Sequence, residues 1–169
     1  ALALKRFPNG VTGKSFFQQK APLSPPPGVQ VKTLTSESGD TQSRLIGGSL
    51  TTLLYCVQLG TIECNPWNAR IRSLEYLDYT VIDLDPGPNV PFDRVVETTL
   101  WVKEALDTLG LHAAVKTSGV SGMHIFIPLP PKTSESIAES VGTRIAHLVS
   151  TAHPGDATTQ RAISDRKGT

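Results

Sequence analysis

Short apolar segments, several of them rich in β-branched residues, punctuate this chain and predict seven β-strands. The strands occupy residues 1–5, 15–20, 29–34, 61–64, 79–85, 111–116 and 123–128. Polar stretches separate them, and turns are predicted at residues 37–43 and 65–68. Trp67 is expected to anchor the second of these turns as a core aromatic residue.

Three helices are predicted where apolar residues recur at helical spacing. They run over residues 49–59, about 92–109 and about 134–151. Glycine follows the first two helices as a C-terminal stop, and Ser134 caps the third. The apolar stripes are Leu50, Leu53, Leu54 and Val57 in the first helix, Phe92, Val95, Val96, Leu100, Leu106 and Leu109 in the second, and Ile137, Val141, Ile145, Leu148 and Val149 in the third.

The order of these elements predicts an α/β (α+β) fold with a mixed central sheet and flanking helices. Residues 79–116 read as strand, helix and strand, a crossover unit that implies some parallel pairing. Residues 117–122 are too few for another helix, so the strands on either side should form a hairpin. A length of 169 residues fits one domain over residues 1–169. Residues 153–169 are polar and end abruptly in a turn-like sequence, and the domain is expected to be incomplete at both termini.

The strand at residues 79–85 carries the first candidate chemistry, Asp83 and Asp85. Side chains alternate across a strand, so both carboxylates project from one face while Leu84 packs on the other. Two like charges so close are costly unless a cation lies between them, and hard oxygen ligands suit Mg²⁺ or Mn²⁺. The alternative is a strand that ends in a helix-capping aspartate and a turn, and this short motif alone leaves both open.

The predicted hairpin turn, KTSGVSGMH, carries the second candidate chemistry. Its glycines permit close approach of a ligand, its hydroxyls can donate or accept hydrogen bonds, and exposed backbone N–H groups can bind an anion. The residues concerned are Lys116, Thr117, Ser118, Gly119, Ser121 and Gly122. His124 points away from the neighbouring isoleucines, as a core histidine or a ligand contact. A flexible hairpin without function is the alternative for the turn.

Charge adds a third observation, because the net charge of +1 hides an uneven distribution. Five basic residues precede the first acidic one, Glu37, and they are interleaved with phenylalanines. In such a segment the cations can bind phosphates while the aromatic rings stack on bases. The simpler alternative is an ordinary solvated surface whose phenylalanines belong to the core. The basic residues are Lys5, Arg6, Lys14, Lys20 and Lys32, and the aromatic ones are Phe7, Phe16 and Phe17.

Membrane and disulfide chemistry are not expected. No apolar run approaches the length of a membrane span, and the first residues show no charged segment followed by an apolar stretch. The two cysteines, Cys56 and Cys64, are expected to be reduced and partly buried.

Four stretches together resemble a known family, the polymerase domain of bacterial DNA ligase D. They are, in the family's order, RFPNGVTGKSFFQQKAP, LGTIECNPWNARI, YTVIDLDPG and KTSGVSGMHIFIPL, and TTQRAISDR resembles the segment before the family's last catalytic strand. This family is a branch of the archaeo-eukaryotic primase superfamily used in non-homologous end joining. The resemblance implies a primase-polymerase-like catalytic core and template-directed nucleotidyl transfer at a two-metal site holding Mn²⁺ or Mg²⁺.

The resemblance also implies roles for individual residues. Asp83 and Asp85 would be the first two catalytic, metal-binding carboxylates. The nucleotide would be bound by Lys116, Thr117, Ser118, Gly119, Gly122, His124, Asn65 and Arg161, and the template DNA by Phe16, Phe17, Lys20 and Lys14. Asn65 stands where many relatives carry a histidine. The family's third carboxylate is expected on a strand beyond Thr169.

The implied function is the addition of NTPs or dNTPs to a DNA 3′-end in double-strand break repair. The expected partners are DNA with 3′-ends or gaps, the nucleotide, and a fused or associated ligase and Ku-type end-binding protein. A cytoplasmic, nucleoid-associated monomer without membrane contact is expected. Two alternatives remain: a catalytically incomplete nucleotide- or DNA-end-binding module, and a phospho-aspartyl phosphatase, against which Pro86 follows the second aspartate.

Overall fold

The computed structural model describes residues 1–35 and 39–160, which divide into two compact units. The first unit is Ala1–Arg72 and the second begins at Ser73. The elements of the first are β1 (Leu2–Arg6), β2 (Phe16–Gln18), β3 (Val31–Thr35), β4 (Thr41–Leu45), α1 (Leu50–Gln58), β5 (Thr61–Pro66) and β6 (Ala69–Arg70). Those of the second are β7 (Ser73–Leu77), β8 (Tyr79–Leu84), α2 (Phe92–Thr108), β9 (Ala114–Thr117), β10 (Met123–Pro128) and α3 (Glu135–Ala152). The predicted fold class, with three helices and small sheets, is confirmed.

The first unit combines a three-stranded antiparallel sheet, in the order β2-β1-β5, with the hairpin β3-β4 and helix α1. Its small core is formed by Leu4, Ala21, Leu45 and Cys56, one residue from each of four segments. Because Leu4 faces this core, its neighbour Lys5 on β1 faces the opposite side of the sheet.

The second unit is built on a three-stranded sheet in the order β8-β10-β9. One face of the sheet supplies Ile82, Ile125 and Ile127 to the core. The two long helices cover that face with Val102 and Leu106 from α2 and Ile145 and Val149 from α3. The alternate residues of the strands therefore point to the face away from the helices.

The predicted parallel pairing is wrong. Strand β10 lies between β8 and β9 and pairs antiparallel with both. The physical reason is the short turn between β9 and β10, which can join antiparallel neighbours but cannot carry a crossover. The expected hairpin is confirmed, while its first strand begins at Ala114 rather than at residue 111.

Two predicted turns are partly strand. Residues 41–43 belong to β4, where Thr33 and Ser43 lie opposite each other and their hydroxyls are 3.0 Å apart. The polar composition of β4 reflects its exposed position rather than a turn. Strand β5 likewise continues through Asn65 and Pro66, which pair with β1. Pro66 is tolerated because β5 is an edge strand of its sheet.

The helix boundaries agree closely with the prediction, but the apolar stripes do not all face a core. In α1 the buried residues are Thr52 and Cys56. The four predicted stripe residues of this helix are each more than half exposed. The hydroxyl of Thr52 accepts a hydrogen bond from the backbone N–H of Gln30, 3.0 Å away, and contacts the Ser49 hydroxyl. Because these partners satisfy the hydroxyl, Thr52 can be buried.

The predicted stripes of the two long helices are confirmed in part. In α2, the predicted residues Val95 and Leu106 are buried together with Val102, whereas Phe92, Leu100 and Leu109 are exposed. In α3, Ala138, Ile145 and Val149 face the core, while Ile137 and Leu148 are more than half exposed. Ser134 occupies the predicted cap position, although its hydroxyl contacts Ser136 rather than a helix N–H group.

No helix in the described part of the chain is long and apolar enough to cross a membrane. Both cysteines are free thiols, as predicted, but only Cys56 is buried and Cys64 is exposed. Burial is the main cause that raises the pKa of the Cys56 thiol.

Two isoleucines on α3 test which residues of the predicted stripe face the core. Replacing Ile145, which is 1% exposed, with Ala should lower the free energy of unfolding by about 2 to 5 kcal/mol, because it leaves a cavity. The same replacement at Ile137, which is 55% exposed, should change it by less than about 1 kcal/mol. Urea unfolding measures both, and equal losses would contradict the assigned core face.

Candidate nucleotide and metal site

A row of three polar side chains crosses the sheet of the second unit. Asp83 on β8 lies directly opposite His124 on β10, and His124 lies directly opposite Lys116 on β9. The Nε2 atom of His124 is 3.4 Å from Oδ1 of Asp83. Since the isoleucines at alternate positions face the helices, this row occupies the other face of the sheet.

The row is open to solvent at the carboxylate and more enclosed at the imidazole. The side chain of Asp83 is 65% exposed, and that of His124 is 28% exposed. His124 also meets the ring of Phe126 edge-on, with 6.2 Å between the ring centroids. His124 is therefore oriented by its two neighbours on the polar face, and it is not a core histidine.

Asp85 follows the end of β8, one alternation beyond Asp83. Both aspartates line a cavity of about 730 Å³ that lies along β8 and between the two long helices. Residues 156–160, which follow α3, also line it. The cavity reaches the end of the strand from the helix side, whereas alternation along β8 places the Asp83 side chain on the other face of the sheet.

The donor chemistry at this place suits Mg²⁺ or Mn²⁺. Two carboxylates of adjacent alternate positions offer hard oxygen ligands, and both residues are exposed. Among the residues that the structure describes, no group of three or more His, Cys, Asp or Glu side chains is placed to hold a metal ion. Asp83 and Asp85 would thus provide two protein ligands, and water or phosphate oxygens would complete the shell of a hard cation.

The turn between β9 and β10 is closed tightly by its two ends. The N–H of Ser118 donates to the carbonyl of Gly122 at 2.8 Å, and the N–H of Gly122 donates to the hydroxyl oxygen of Ser118 at 3.0 Å. A Cβ atom at Gly122 would lie 2.2 Å from the carbonyl oxygen of Leu84. Only glycine fits where this turn approaches β8, and Gly119 has a positive φ of 108°.

The closed turn leaves several groups able to meet an anion. The Ser118 hydroxyl accepts one hydrogen bond within the turn, so its own proton can be donated to a ligand. The amides of Gly119, Val120 and Ser121 lie at the exposed tip. Lys116 is exposed, and its Nζ bonds the carbonyl of Thr117 at 3.2 Å. These groups stand at the same end of the sheet as the row of three side chains.

The predicted template residues lie in the first unit, and Phe16 and Phe17 face opposite sides of its sheet. Phe17 lies opposite Lys5, and Phe16 lies opposite Arg6. Each ring has a cation beside it, with Lys5 Nζ 5.6 Å from the Phe17 centroid and Arg6 Cζ 5.2 Å from the Phe16 centroid. Both rings remain accessible, at 46% exposure for Phe16 and 62% for Phe17.

The remaining predicted residues of the first unit are also exposed. Asn65 donates through Nδ2 to the Glu63 carboxylate at 3.0 Å. Lys14 and Lys20 flank β2, and Lys20 lines a groove beside Phe17. Arg161 lies outside the described residues.

Sequence reasoning missed a group that holds the segment after α3 against α2. The rings of Trp101 and His153 are stacked, with 3.7 Å between centroids and 4° between planes. Arg94 makes ion pairs with Glu97 and Asp156. No local motif signals the contacts of Trp101 with His153 and of Arg94 with Asp156, because these partners are about fifty residues or more apart and meet only when the segment after α3 packs on α2.

Comparison with known proteins identifies the relatives of this chain. A family model described as "LigD, primase-polymerase domain" matches residues 1–169. The multifunctional non-homologous end joining protein LigD of Pseudomonas aeruginosa is 36% identical over 152 residues, which are 88% of this chain and 18% of that protein. The bifunctional LigD protein of Bacillus subtilis is 30% identical over 168 residues, 98% of this chain and 26% of that protein.

A solved structure is also similar. The polymerase domain from Mycobacterium tuberculosis ligase D in complex with DNA superposes with a TM-score of 0.84 at 29% identity. The match covers 99% of this chain and 61% of that chain. The chain thus spans most of that domain's solved chain, but only 18% to 26% of the length of the two full-length relatives above.

Two glycines test the close approach of the turn to β8. Gly122→Ala should lower the free energy of unfolding by about 1 to 3 kcal/mol, because the added methyl group must displace the Leu84 carbonyl. Gly155→Ala, with no atom within 4 Å of the added methyl group, should change it by less than about 0.5 kcal/mol. Denaturant unfolding compares them. A neutral effect at Gly122 would mean that the turn does not approach β8 as described.

Proposed function

The chain belongs to the family of LigD primase-polymerase domains, and we propose that it adds NTPs or dNTPs to a DNA 3′-end under the direction of a template. The setting we propose is double-strand break repair by non-homologous end joining, in association with ligase and Ku-type end-binding activities. The observation that supports the proposal best is the row of Asp83, His124 and Lys116 beside the closed turn.

The row has a positive end at Lys116 and a negative end at Asp83, and each end suits a different part of a nucleoside triphosphate with its metal ion. Lys116 and the donors of the turn suit the terminal phosphates, which carry most of the negative charge. Asp83 and Asp85, at the other end of the row, suit a divalent cation near the reacting phosphate. When bound there, Mn²⁺ or Mg²⁺ would neutralise phosphate charge and activate the attacking 3′-hydroxyl.

His124 has a positioning role in this proposal. It lies 3.4 Å from Asp83 and directly opposite Lys116, so it separates the carboxylate from the ammonium group. Without it, a lysine side chain could approach Asp83 and neutralise the carboxylate. The imidazole can also donate a hydrogen bond to a phosphate oxygen.

The DNA would be held by the first unit. Phe16 and Phe17 are exposed aromatic rings with a cation beside each, and such pairs suit stacking on bases together with contact to phosphates. Lys14 and Lys20 add exposed positive charge on either side of β2.

One observation favours a second candidate function, a nucleotide- or DNA-end-binding module without catalysis. Asp83 and Asp85 are two carboxylates, and no group of three or more His, Cys, Asp or Glu side chains in the described part of the chain is placed to hold a metal ion. Family membership removes the basis for the phospho-aspartyl phosphatase alternative.

Replacing the carboxylates separates these functions. Asp83→Asn or Asp85→Asn should reduce Mn²⁺-dependent primer extension on a gapped DNA template by at least about 100-fold, because each removes a charge that holds the cation. Asp107→Asn should leave the rate within about twofold, since that exposed carboxylate pairs with Lys103 on the surface of α2.

The outcomes of this assay differ for the two candidates. Extension that requires both aspartates supports the polymerase. Extension that survives both replacements would refute the assigned site. Mn²⁺-dependent binding of nucleotide without any extension would favour the binding module.

A lysine pair tests the phosphate end of the row. Lys116→Gln should weaken binding of a fluorescent ribonucleoside triphosphate about tenfold, which corresponds to about 1.4 kcal/mol. Lys103→Gln removes the same charge from an exposed ion pair on α2 and should leave the dissociation constant unchanged. An equal effect of the two replacements would point to a general charge effect and against a phosphate contact at Lys116.

A further inference from the structure

The two units differ sharply in charge. The first unit contains eight Lys and Arg residues against three Asp and Glu, whereas the rest of the chain contains eight against twelve. The near-zero net charge of the chain therefore conceals one basic unit and one acidic unit. A basic unit attracts a polyanion, and the placement of its cations decides what kind.

Two of these cations face each other across the hairpin of the first unit. Lys32 on β3 and Arg44 on β4 are direct cross-strand partners, so their side chains leave the same face. Like charges at such positions destabilise a hairpin. Lys32 Nζ bonds the carbonyl of Ile71 at 3.3 Å, and among the described residues neither cation forms an ion pair with a carboxylate. An anion between them would relieve the repulsion.

Arg44 is also joined to an exposed aromatic ring. Its guanidinium carbon lies 4.9 Å from the centroid of the Trp67 ring. Its Nη2 donates to Oε1 of Gln19 at 3.0 Å. Trp67 is 39% exposed, so the expectation of a core aromatic residue is wrong. The ring is held at the surface by its cation and by its backbone, whose N–H donates to the carbonyl of Ala1 at 2.9 Å.

The Arg44 contacts continue into the groove that carries the predicted template residues. Gln42 shares a face of β4 with Arg44 and lines a groove of about 680 Å³. Phe16, Phe17 and Lys20 line the same groove. Gln19 connects the two regions, since it lies in the groove wall and accepts the hydrogen bond from Arg44.

We propose that Lys32, Arg44 and Trp67 form a second contact site for single-stranded DNA, continuous with the groove at Phe17. Lys32 and Arg44 bind one or two phosphates of the strand. Trp67 and the outer face of the Arg44 guanidinium stack on a base. The alternation of cations and accessible rings along this surface fits a phosphate backbone with bases, and an acidic protein surface would not use the rings for stacking.

This inference rests on the proposed function, because it extends the surface over which the template would run. It adds Lys32, Arg44 and Trp67 to the residues that the family resemblance assigns to the template. Its physical basis is independent of the metal site, since it rests on cross-strand register, exposure and charge within the first unit.

The phosphate contacts are tested with the full chain and a fluorescein-labelled oligonucleotide of about 12 nucleotides, within the range of single-strand site sizes. In fluorescence anisotropy, Arg44→Gln and Lys32→Gln should each weaken binding about threefold to tenfold. Each should also make the plot of log affinity against log salt shallower by about 0.7, the value for one single-strand phosphate. Arg44→Lys should keep the salt slope. Lys103→Gln in the acidic unit is the charge-matched control and should change neither quantity.

The base contact is tested with Trp67. Trp67→Ala should weaken binding of the same oligonucleotide at least about fivefold, because stacking of one base contributes about 1 to 3 kcal/mol. It should leave the salt slope unchanged, and Trp67→Phe should restore most of the affinity. On an abasic oligonucleotide of equal length, Trp67→Ala should have no effect.

Several results would overturn this inference. One such result is that Arg44→Gln and Lys32→Gln bind the oligonucleotide as tightly as the Lys103→Gln control does. A second such result is that Trp67→Ala loses the same affinity for normal and for abasic strands. The surface would then attract the strand only as a polyanion, or it would bind an acidic protein instead. Far-ultraviolet circular dichroism and urea midpoints equal to those of the unmodified chain exclude unfolding as the cause of any loss.

Failure of this inference can be distinguished from failure of the proposed function. Asp83→Asn should bind the oligonucleotide normally and lose primer extension. If that variant extends primers, the proposed function fails whatever Arg44 does. If it does not, and Arg44→Gln binds DNA normally, only the second DNA contact site fails.

Discussion

The antiparallel register between β8 and β10 is the constraint on which the candidate site depends. It pairs Asp83 with His124 and, one residue away, Ile82 with Ile125. Because side chains alternate, the same register that places isoleucines under the helices places the polar row on the other face. A slip by one residue would bury the carboxylate and expose the isoleucines, so burial of the core enforces the geometry of the site.

The proposed chemistry and the proposed DNA binding are divided between two units of opposite charge. The acidic unit holds the carboxylates, whose negative charge favours a divalent cation, and the basic unit holds the exposed rings and cations. The row in the acidic unit still contains Lys116, which would neutralise phosphate charge locally in the proposed site, although the unit as a whole is negative. In the proposed function, a polyanionic strand and a metal ion would thereby be attracted to different parts of the chain.

Much of this arrangement could be predicted from the sequence where local rules are sufficient. The aspartates on β8, the hairpin and the helix boundaries follow from alternation, turn composition and capping. The order of strands did not follow, because the choice of β10 as the neighbour of β8 is made by tertiary pairing. Strand β4 was missed because an exposed hairpin strand needs few apolar residues. The stripe of α1 was misplaced and those of α2 and α3 were right only in part, since spacing alone does not say which of several apolar residues will face a core.

The closed turn between β9 and β10 also has an evolutionary consequence. Its closing residues, Ser118 and Gly122, are committed to each other and to the approach of β8. Val120 at the tip is 97% exposed and contributes nothing to that closure. Substitution at position 120 would therefore alter the size or polarity of the loop in the proposed nucleotide site without disturbing the backbone that presents it. The turn separates residues that maintain its geometry from one that is free to vary, and through which the preference of the proposed site for one nucleotide over another could change.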